Sequence, residues 1–561
     1  MAPSTAPKQP TLANQAARAV IWNALFVPLR LGGEVLATLV KLNLLTPASY
    51  GLLALISGAN NGLGTGIDLG TTRALPKFIP ETSRAGGPQA VLRLLTAVFV
   101  AQVVVLLLLG GGLIIASQPY LNNLRGLVLR DVTLKSADQS QLIDFIGRYG
   151  PLIIAAILIL LFLGVCYDMC MAYLNSFFKQ RAWNSVALAA GLLPQLLSVG
   201  ALLAGWDILG VLGAMVLAPT IAVGLAGWQV AQAWTVDGGR WAVADSKQQV
   251  GVDTAASTVH RPPSIVNWLP KGFVRYSGVS FLMTATDYFA SASFAIFLAR
   301  DIGDVALLAA GSALAKMALG YLYTPMVGVQ VPLFTRVRAG EGGTLNGAYQ
   351  SLARLQTLLI VPGGVGLMLL AVPALLVISP TYLEAAPLVW ALVPCLFLEC
   401  LLTTAHNALI VYEKLAIIII SRLLTLLSVV LLALVLPGWY GLVGVALAFG
   451  LARVVAGLWV TASGYRLLGL RWPWRFTLRV LAATAAMALL VLGARGLLPP
   501  LPTAPSLADR LREALWLFGI AGLGAAGFVG ALRLTGGLDA QDRAQLVKLK
   551  LPLKRWIMKV L

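Results

Sequence analysis

Several ionisable side chains stand inside stretches of this sequence that are otherwise apolar. Arg30 and Glu34 lie four residues apart in the first apolar run, so on a helix they share one face and can pair. An ionisable group at the centre of a bilayer costs about 2.5 kcal/mol or more, and those that persist usually face a cavity or a partner. Two interpretations stay open: a self-neutralised structural pair, or groups that bind a charged molecule.

The second half of the chain repeats this arrangement. Asp287 is predicted near the middle of the seventh apolar run, Arg275 near its cytoplasmic mouth and Lys316 near the middle of the eighth. Cations in excess of carboxylates, on walls that also carry the amides of helix two, suit an anionic headgroup. The predicted substrate ligands are Arg30, Arg275, Lys316, Asn60, Asn61 and Arg453.

The composition indicates the environment of these groups. Of the 561 residues, 58% are hydrophobic and 11% charged, against about 25% charged in an ordinary soluble domain. A membrane-spanning helix needs about 20 mostly apolar residues. The chain is therefore predicted to be an all-α, polytopic membrane protein with about fourteen transmembrane helices, or twelve plus a C-terminal pair. The predicted spans are 20–42, 48–68, 91–117, 149–173, 183–204, 208–231, 273–299, 305–333, 355–379, 385–411, 415–436, 441–465, 477–497 and 514–533.

The distribution of Lys and Arg predicts the orientation. Most of the 41 Lys and Arg fall at the two ends of the chain and in the loops on the same side as those ends. Cytoplasmic loops hold such an excess, so both termini are predicted to be cytoplasmic. The formal charge of +19 follows the same loops, and anionic lipid explains it better than nucleic acid does. The first run is too long for a signal-peptide core and is expected to remain in the mature protein.

The two halves share an order of helices and loops. Each opens with a helix, a short outer turn, a second helix and a basic inner loop, and Pro76 and Pro332 take matching places after the second helix. Because six helices separate the equivalents, the repeat is parallel, and two six-helix lobes facing a central cavity are predicted. The predicted boundaries are 1–231 for the N-terminal lobe, 232–272 for a flexible cytoplasmic linker, 273–465 for the C-terminal lobe, 466–535 for a helix pair and 536–561 for a basic tail. The tail is either an amphipathic helix on the membrane surface or a solvated extension.

Several kinds of chemistry have no residues to support them in this sequence. There is no GxxxxGK[ST] phosphate loop, and no large extramembrane loop carries paired carboxylates. The four cysteines all fall in apolar segments without ligand spacing, so neither a metal nor another cofactor is predicted. The sequence therefore favours transport over catalysis.

Transport assigns roles to the remaining charged groups. Glu34, Asp287 and Glu399 are predicted to couple the cycle to Na⁺ or H⁺, the choice of ion being left open. Glu399 also lies seven residues before His406, and the two form either a proton relay or a satisfied pair within the helix bundle. A cytoplasmic gate is predicted from Asp68, Arg73 and Lys77.

Two segments resemble a known family. NLLTPASYGLLALISGANNGLGTGIDLGTTRALPKFIPE, residues 43–81, is similar to the N-terminal signature of polysaccharide and O-antigen (Wzx-type) flippases of the multidrug/oligosaccharidyl-lipid/polysaccharide (MOP) superfamily. GGLDAQDRAQLVKL, residues 536–549, resembles the close of those proteins. The helix number and the central linker also fit.

The resemblance implies an activity and a location. Members of this family flip an undecaprenyl-diphosphate-linked oligosaccharide to the outer leaflet of the bacterial inner membrane, and glycan polymerase and assembly proteins are the expected partners. Arg30 and Arg275 match the family's cavity arginines by helix and depth. Three alternatives stay open: a flippase for the peptidoglycan lipid precursor, a multidrug cation antiporter, and a membrane-bound glycan polymerase or ligase.

Overall fold

The computed structural model describes Arg30 and residues 32–177, 179–248, 268–340, 343–497 and 506–536. Almost all of these residues are helical and none forms a strand, which confirms the all-α class. Within them, nine helices are long and apolar enough to cross a membrane, or ten if a broken pair counts as one span. Two of the nine, Pro47–Ile115 and Leu415–Leu468, contain 69 and 54 residues, and about 20 suffice for one crossing. The chain is a multi-pass membrane protein.

The described residues form two packing units. The first comprises the described residues up to Leu45 together with Leu55–Tyr288. Its helix α1 occupies residues 32–44. The helices that follow are α2 (Pro47–Asp68), α3 (Thr71–Ile115), α4 (Ser117–Arg130), α5 (Ser136–Ser176), α6 (Gln180–Leu203), α7 (Asp207–Gln248) and α8 (Phe273–Phe289).

The core of the first unit includes α8. Leu75, Phe78 and Leu94 of α3 pack with Phe273 of α8 and Ala172 of α5. The rings of Phe78 and Phe273 meet edge to face, with centroids 5.3 Å apart. Thus α8, which follows the predicted linker in sequence, packs with helices that precede that linker. It is through this packing that residues of α8 enter the candidate site of the first unit.

The second unit comprises Thr46–Ala54 and the described residues from Phe289 onward. Its helices are α9 (Ala292–Ala295), α10 (Ile302–Arg338), α11 (Leu345–Ile378), α12 (Ala386–Val411), α13 (Leu415–Leu468), α14 (Trp474–Gly496) and α15 (Leu507–Leu534). Helix α13 is interrupted at Gly441, whose φ of 54° only glycine adopts readily. The predicted C-terminal helix pair, α14 and α15, packs against α11 through Val480, Met487 and Phe528.

Two turns, one in each unit, have the same backbone geometry. Between α5 and α6, Phe177 (φ −100°, ψ 18°) is followed by Lys179 (φ −77°, ψ 54°). Between α12 and α13, Tyr412 (φ −87°, ψ 14°) is followed by Lys414 (φ −82°, ψ 52°). Each lysine N–H donates to the carbonyl five residues earlier, at 2.9 Å in both turns. This aromatic-x-lysine turn follows the fourth predicted helix of each half and supports the predicted parallel repeat.

Three expectations about local structure are corrected. The predicted inner loop after α2 is helical from Thr71, because Asp68 accepts a hydrogen bond from the first-turn N–H of Thr72 at 3.0 Å. The predicted span 273–299 is broken: α8 ends at Phe289 and helix resumes at Ala292. The start of the predicted linker is helical, since α7 continues to Gln248. Residues 249–267 of that linker and 537–561 of the predicted basic tail lie outside the described residues.

Candidate functional site

Arg30 and Glu34 form an ion pair along α1. Arg30 Nε lies 3.4 Å from Glu34 Oε1, and the two side chains are 38% and 33% exposed. Gly191 on α6 makes room for them: a Cβ built there would lie 2.6 Å from Arg30 Cδ and 3.3 Å from Glu34 Oε1. The pair therefore packs against α6 at Gly191 and remains reachable by a polar ligand.

Arg73 and Asp287 form a second ion pair, between α3 and α8. The Arg73 guanidinium donates to Asp287 Oδ2 at 3.0 Å, and the side chains are 41% and 38% exposed. Asp287 was expected in the middle of its helix, but α8 ends two residues later at Phe289, because the chain turns there before α9. Asp287, which was predicted to couple the cycle to an ion, thus contacts Arg73, which was predicted to form part of the cytoplasmic gate.

The other two predicted gate residues make short-range contacts. Asp68 Oδ1 accepts from the Thr72 hydroxyl at 2.6 Å, in addition to the Thr72 N–H. The Lys77 ammonium lies 4.7 Å from the ring centroid of Tyr276 and 5.1 Å from that of Phe78. These distances fit cation–π contacts. Asp68 thus caps the N-terminus of α3, and Lys77 packs against one aromatic ring of α3 and one of α8.

The second unit holds a third pair with an additional cation beside it. Arg453 Nη1 on α13 lies 2.8 Å from Glu399 Oε1 on α12, and Arg453 Nε donates to the Ala290 carbonyl at 2.6 Å. Lys316 on α10 interacts electrostatically with Arg453 and has an exposed side chain. Within the part of the chain that the structure describes, Lys316 has no hydrogen bond and no ion pair. Three ionisable groups therefore cluster here, and two of the three are basic.

The remaining predicted ligands lie in the first unit. Arg275 is exposed on the first turn of α8 and makes no ion pair among the described residues. The amide oxygen of Asn60 is buried without a hydrogen-bond donor among them, whereas Asn61 is exposed on α2. The prediction that Arg275, Asn60, Asn61 and Lys316 face one cavity is not tested by the packing within each unit, and it stays a prediction.

Sequence reasoning missed several polar groups within the helices. Gln330 on α10 accepts from Asn407 on α12 at 2.5 Å, and Gln356 on α11 accepts from the Thr404 hydroxyl. Both glutamines are fully buried. Uncharged amides stand out less than arginines in an apolar run, although a buried amide must also find partners. Asp168 on α5 was missed as well, although a carboxylate deep in an apolar run is itself a signal.

The described helices carry ionisable and amide side chains inside apolar, membrane-spanning segments. Membrane-embedded cations and amides, held on helices that are broken or kinked at glycine, are the arrangement found in transporters. The arrangement of the described helices is similar to that of solved structures of a flippase and a drug transporter, and the likeness is one of fold.

The comparisons with known proteins bear on the fold alone. No protein-family model matches the chain, and no curated protein matches it in sequence. Among solved structures it is similar to the lipid II flippase MurJ in an inward closed conformation, with a TM-score of 0.61 and 13% identity, over 92% of this chain and 100% of that chain. It is also similar to a mutant of the Vibrio cholerae MATE transporter VcmN, with a TM-score of 0.50 and 15% identity, over 82% of this chain and 97% of that one. The first of these structures is of a flippase and the second of a transporter.

Proposed function

We propose that this chain is a secondary flippase of the bacterial inner membrane, with both termini in the cytoplasm. Its cargo is an undecaprenyl-diphosphate-linked oligosaccharide, a surface polysaccharide or O-antigen unit, which it moves to the outer leaflet by alternating access. Glycan polymerase and assembly proteins receive the product. The coupling cation is Na⁺ or H⁺.

Lys316 is the observation that carries the proposal. Lys316 stands in an apolar helix with no acidic partner among the described residues, so its amino group is left to donate hydrogen bonds to a ligand. Arg453 raises the positive potential beside it, and Glu399 offsets only one of the two charges. A diphosphate is the part of a lipid-linked sugar that suits such a group, because charge-assisted hydrogen bonds to phosphate are strong.

Groups in the first unit suit the rest of the cargo. The buried amide oxygen of Asn60 lacks a donor among the described residues, and a sugar hydroxyl would supply one. Arg275 and Arg30 add positive charge, although Arg30 is paired with Glu34. A multidrug cation antiporter is disfavoured because unpaired cations repel its cargo.

A second candidate is a flippase for the peptidoglycan lipid precursor. It is favoured by the similarity to MurJ, which extends over the full length of that structure, whereas the similarity to VcmN covers less of this chain. The cargo has the same polyprenyl diphosphate chemistry, so the same lysine would serve. Depletion in cells separates the two candidates: loss of surface glycan alone supports the first, and arrest of wall synthesis supports the second.

The test is protection of labelled lipid-linked oligosaccharide in inverted membrane vesicles. Lys316→Met should slow transport at least about tenfold, since a hydrogen bond to a charged group contributes about 1.5–3 kcal/mol. Lys316→Arg keeps the charge and should retain most of the rate. Lys414→Met, at an exposed lysine in the α12–α13 turn, is the control. Normal transport by Lys316→Met at normal protein level would disprove the role given to Lys316.

A further inference from the structure

Three arginines lie close together in the sequence where α13 ends and α14 begins. Arg466 lies in the last turn of α13, Arg471 in the connection that follows, and Arg475 in the first turn of α14. All three are exposed, and none makes a side-chain hydrogen bond or an ion pair with a described residue. The sequence holds no aspartate or glutamate between Glu413 and Asp509. Residues nearby in the chain therefore do not neutralise these charges.

The connection that carries these arginines is tied to its surroundings. The Arg471 N–H donates to Asn346 Oδ1 at the start of α11, at 2.8 Å. The Trp472 indole donates to the Thr477 hydroxyl at 2.8 Å, and its ring meets that of Tyr349 with centroids 6.2 Å apart. The connection is thus an ordered turn, so its positive charge has a defined position at this end of the helices.

An exposed apolar stripe begins beside Arg475. Trp474, Leu478 and Leu481 follow one another at helical spacing along α14, and these residues are 65%, 63% and 46% exposed. Helix α14 is long and apolar enough to cross a membrane, and the stripe extends about 10 Å along it. Tryptophan is enriched at the boundary between membrane and water. Arg475 therefore lies at the level of the lipid headgroups, and the stripe continues from there into the hydrocarbon.

Two further arginines add positive charge near the first turn of α14. Arg479, one turn further on, donates through Nη1 to the Gly536 carbonyl at 2.9 Å. The guanidinium of Arg354 on α11 lies 5.5 Å from the ring centroid of Phe476. The first turn of α14, where negative charge is favourable, holds no acidic residue. Cations at the head of an apolar stripe match an anionic phospholipid, in which a phosphate is joined to acyl chains.

We propose that Arg471 and Arg475, with Trp474 and the apolar stripe of α14, bind the headgroup and acyl chains of an anionic phospholipid. Guanidinium groups bind phosphate through paired, charge-assisted hydrogen bonds, and basic pockets at the ends of membrane helices bind anionic headgroups. Residues 537–561, which lie outside the described residues, contain more basic than acidic residues and complement the arginines less well. The site lies within the second unit and does not depend on the cargo proposed above.

The test is thermal unfolding of the purified full-length protein in dodecyl maltoside, followed by circular dichroism. Phosphatidylglycerol is titrated into the micelles and compared with phosphatidylcholine of the same chains, which has no net charge. A ligand that binds only the folded protein raises the midpoint, so phosphatidylglycerol should give a saturable rise and phosphatidylcholine little or none. Each basic residue near an anionic surface contributes about fivefold in affinity. Arg471→Gln with Arg475→Gln should therefore need at least about tenfold more phosphatidylglycerol for half of the rise.

Arg84→Gln with Arg93→Gln, at two exposed arginines of α3, is the matched control and should respond as the wild type does. Arg471→Lys with Arg475→Lys keeps the charge and should keep most of the response. An unchanged midpoint without added lipid shows that each variant is folded.

One measurement needs no variant: about 0.5 M NaCl should weaken the response of the wild type, because salt screens exposed charges. The proposal is overturned if phosphatidylcholine or inorganic phosphate gives the same rise, if salt leaves the rise unchanged, or if the glutamine variant keeps the full response. Lys316→Met should keep the lipid response. Its transport and its lipid response therefore test the proposed function and this site separately.

Discussion

Arg73 and Asp287 are 214 residues apart in the sequence, yet the guanidinium of one lies 3.0 Å from the carboxylate of the other. Two further contacts run along the same surface. The Ser277 hydroxyl donates to the Leu69 carbonyl at 2.6 Å, and the Tyr288 hydroxyl donates to the Gly58 carbonyl at 3.1 Å. Helix α8 is thus attached near its start to Leu69, which follows α2, and near its end to Gly58 in the middle of α2 and Arg73 at the start of α3.

The Arg73–Asp287 pair should contribute modestly to stability. Both side chains are about two-fifths exposed, so Arg73→Ala should lower the free energy of unfolding by about 1 kcal/mol or less. The exchanged double variant Arg73→Asp with Asp287→Arg should recover what the single variants lose, as measured by unfolding in detergent. Arg84→Ala, at an exposed arginine of α3, is the control. A double variant as unstable as the sum of its singles would show that the pair contributes nothing.

Replacement of Gly70 should be far more damaging than replacement of a glycine with a similar backbone. Gly70 (φ 74°, ψ 12°) and Gly469 (φ 64°, ψ 25°) are both left-handed. A Cβ at Gly70 would collide with backbone atoms of Ser277 and Phe281, whereas one at Gly469 meets nothing within 4 Å. Gly469→Ala should cost about 1 kcal/mol of conformational strain, and Gly70→Ala clearly more. If Gly70→Ala and Gly469→Ala lost the same unfolding free energy, the close approach of α8 to Gly70 would be contradicted.

Gly191 is predicted to position Arg30. A methyl group at this site would lie 2.6 Å from Arg30 Cδ, so Gly191→Ala should push the arginine away from Glu34. The gain in helix propensity, about 1 kcal/mol, offsets part of the packing cost, and the unfolding midpoint should change little. Vesicle transport should nevertheless fall towards that of Arg30→Ala. Gly200→Ala, on the same helix with nothing within 4 Å, should stabilise the protein and transport normally.

The Glu399–Arg453 pair should show strong coupling between its members. The side chains are 29% and 24% exposed, and Arg453 also holds the Ala290 carbonyl. Removing one member leaves an uncompensated charge among apolar helices, which costs about 3–5 kcal/mol when the pair is buried. Glu399→Leu should therefore be less stable than Glu399→Leu with Arg453→Leu. The comparison of unfolding midpoints tests this, and a more stable single variant would refute it.

The sequence predicts those features that depend on local spacing. The four-residue separation of Arg30 and Glu34 predicts their pairing on one helix, and long apolar runs predict the all-α membrane fold. Roles in transport and the boundaries of the predicted lobes stay predictions.

The partners of Arg73, Lys77 and Glu399 could not be derived in this way. Asp287, Tyr276 and Arg453 lie on other helices, so their identity as partners depends on how the helices pack. The helical start of α3 was missed because this basic segment was interpreted as an inner loop. The Asp68 cap and the left-handed Gly70 that begin this helix are features of backbone conformation. Prolines inside a membrane helix are tolerated when neighbouring groups satisfy the freed carbonyls.

The attachment of α8 has a consequence for biosynthesis. Ser277 and Leu69 are 208 residues apart, so the contact at Gly70 closes only after the ribosome has made the second helix, the five helices after it and the long connection that follows. Until then the Leu69 carbonyl and the surface of Gly70 have no α8 against them. The first unit therefore completes its fold late in synthesis, and a fragment truncated before residue 273 should be a substrate for membrane quality-control proteases rather than a stable half-protein.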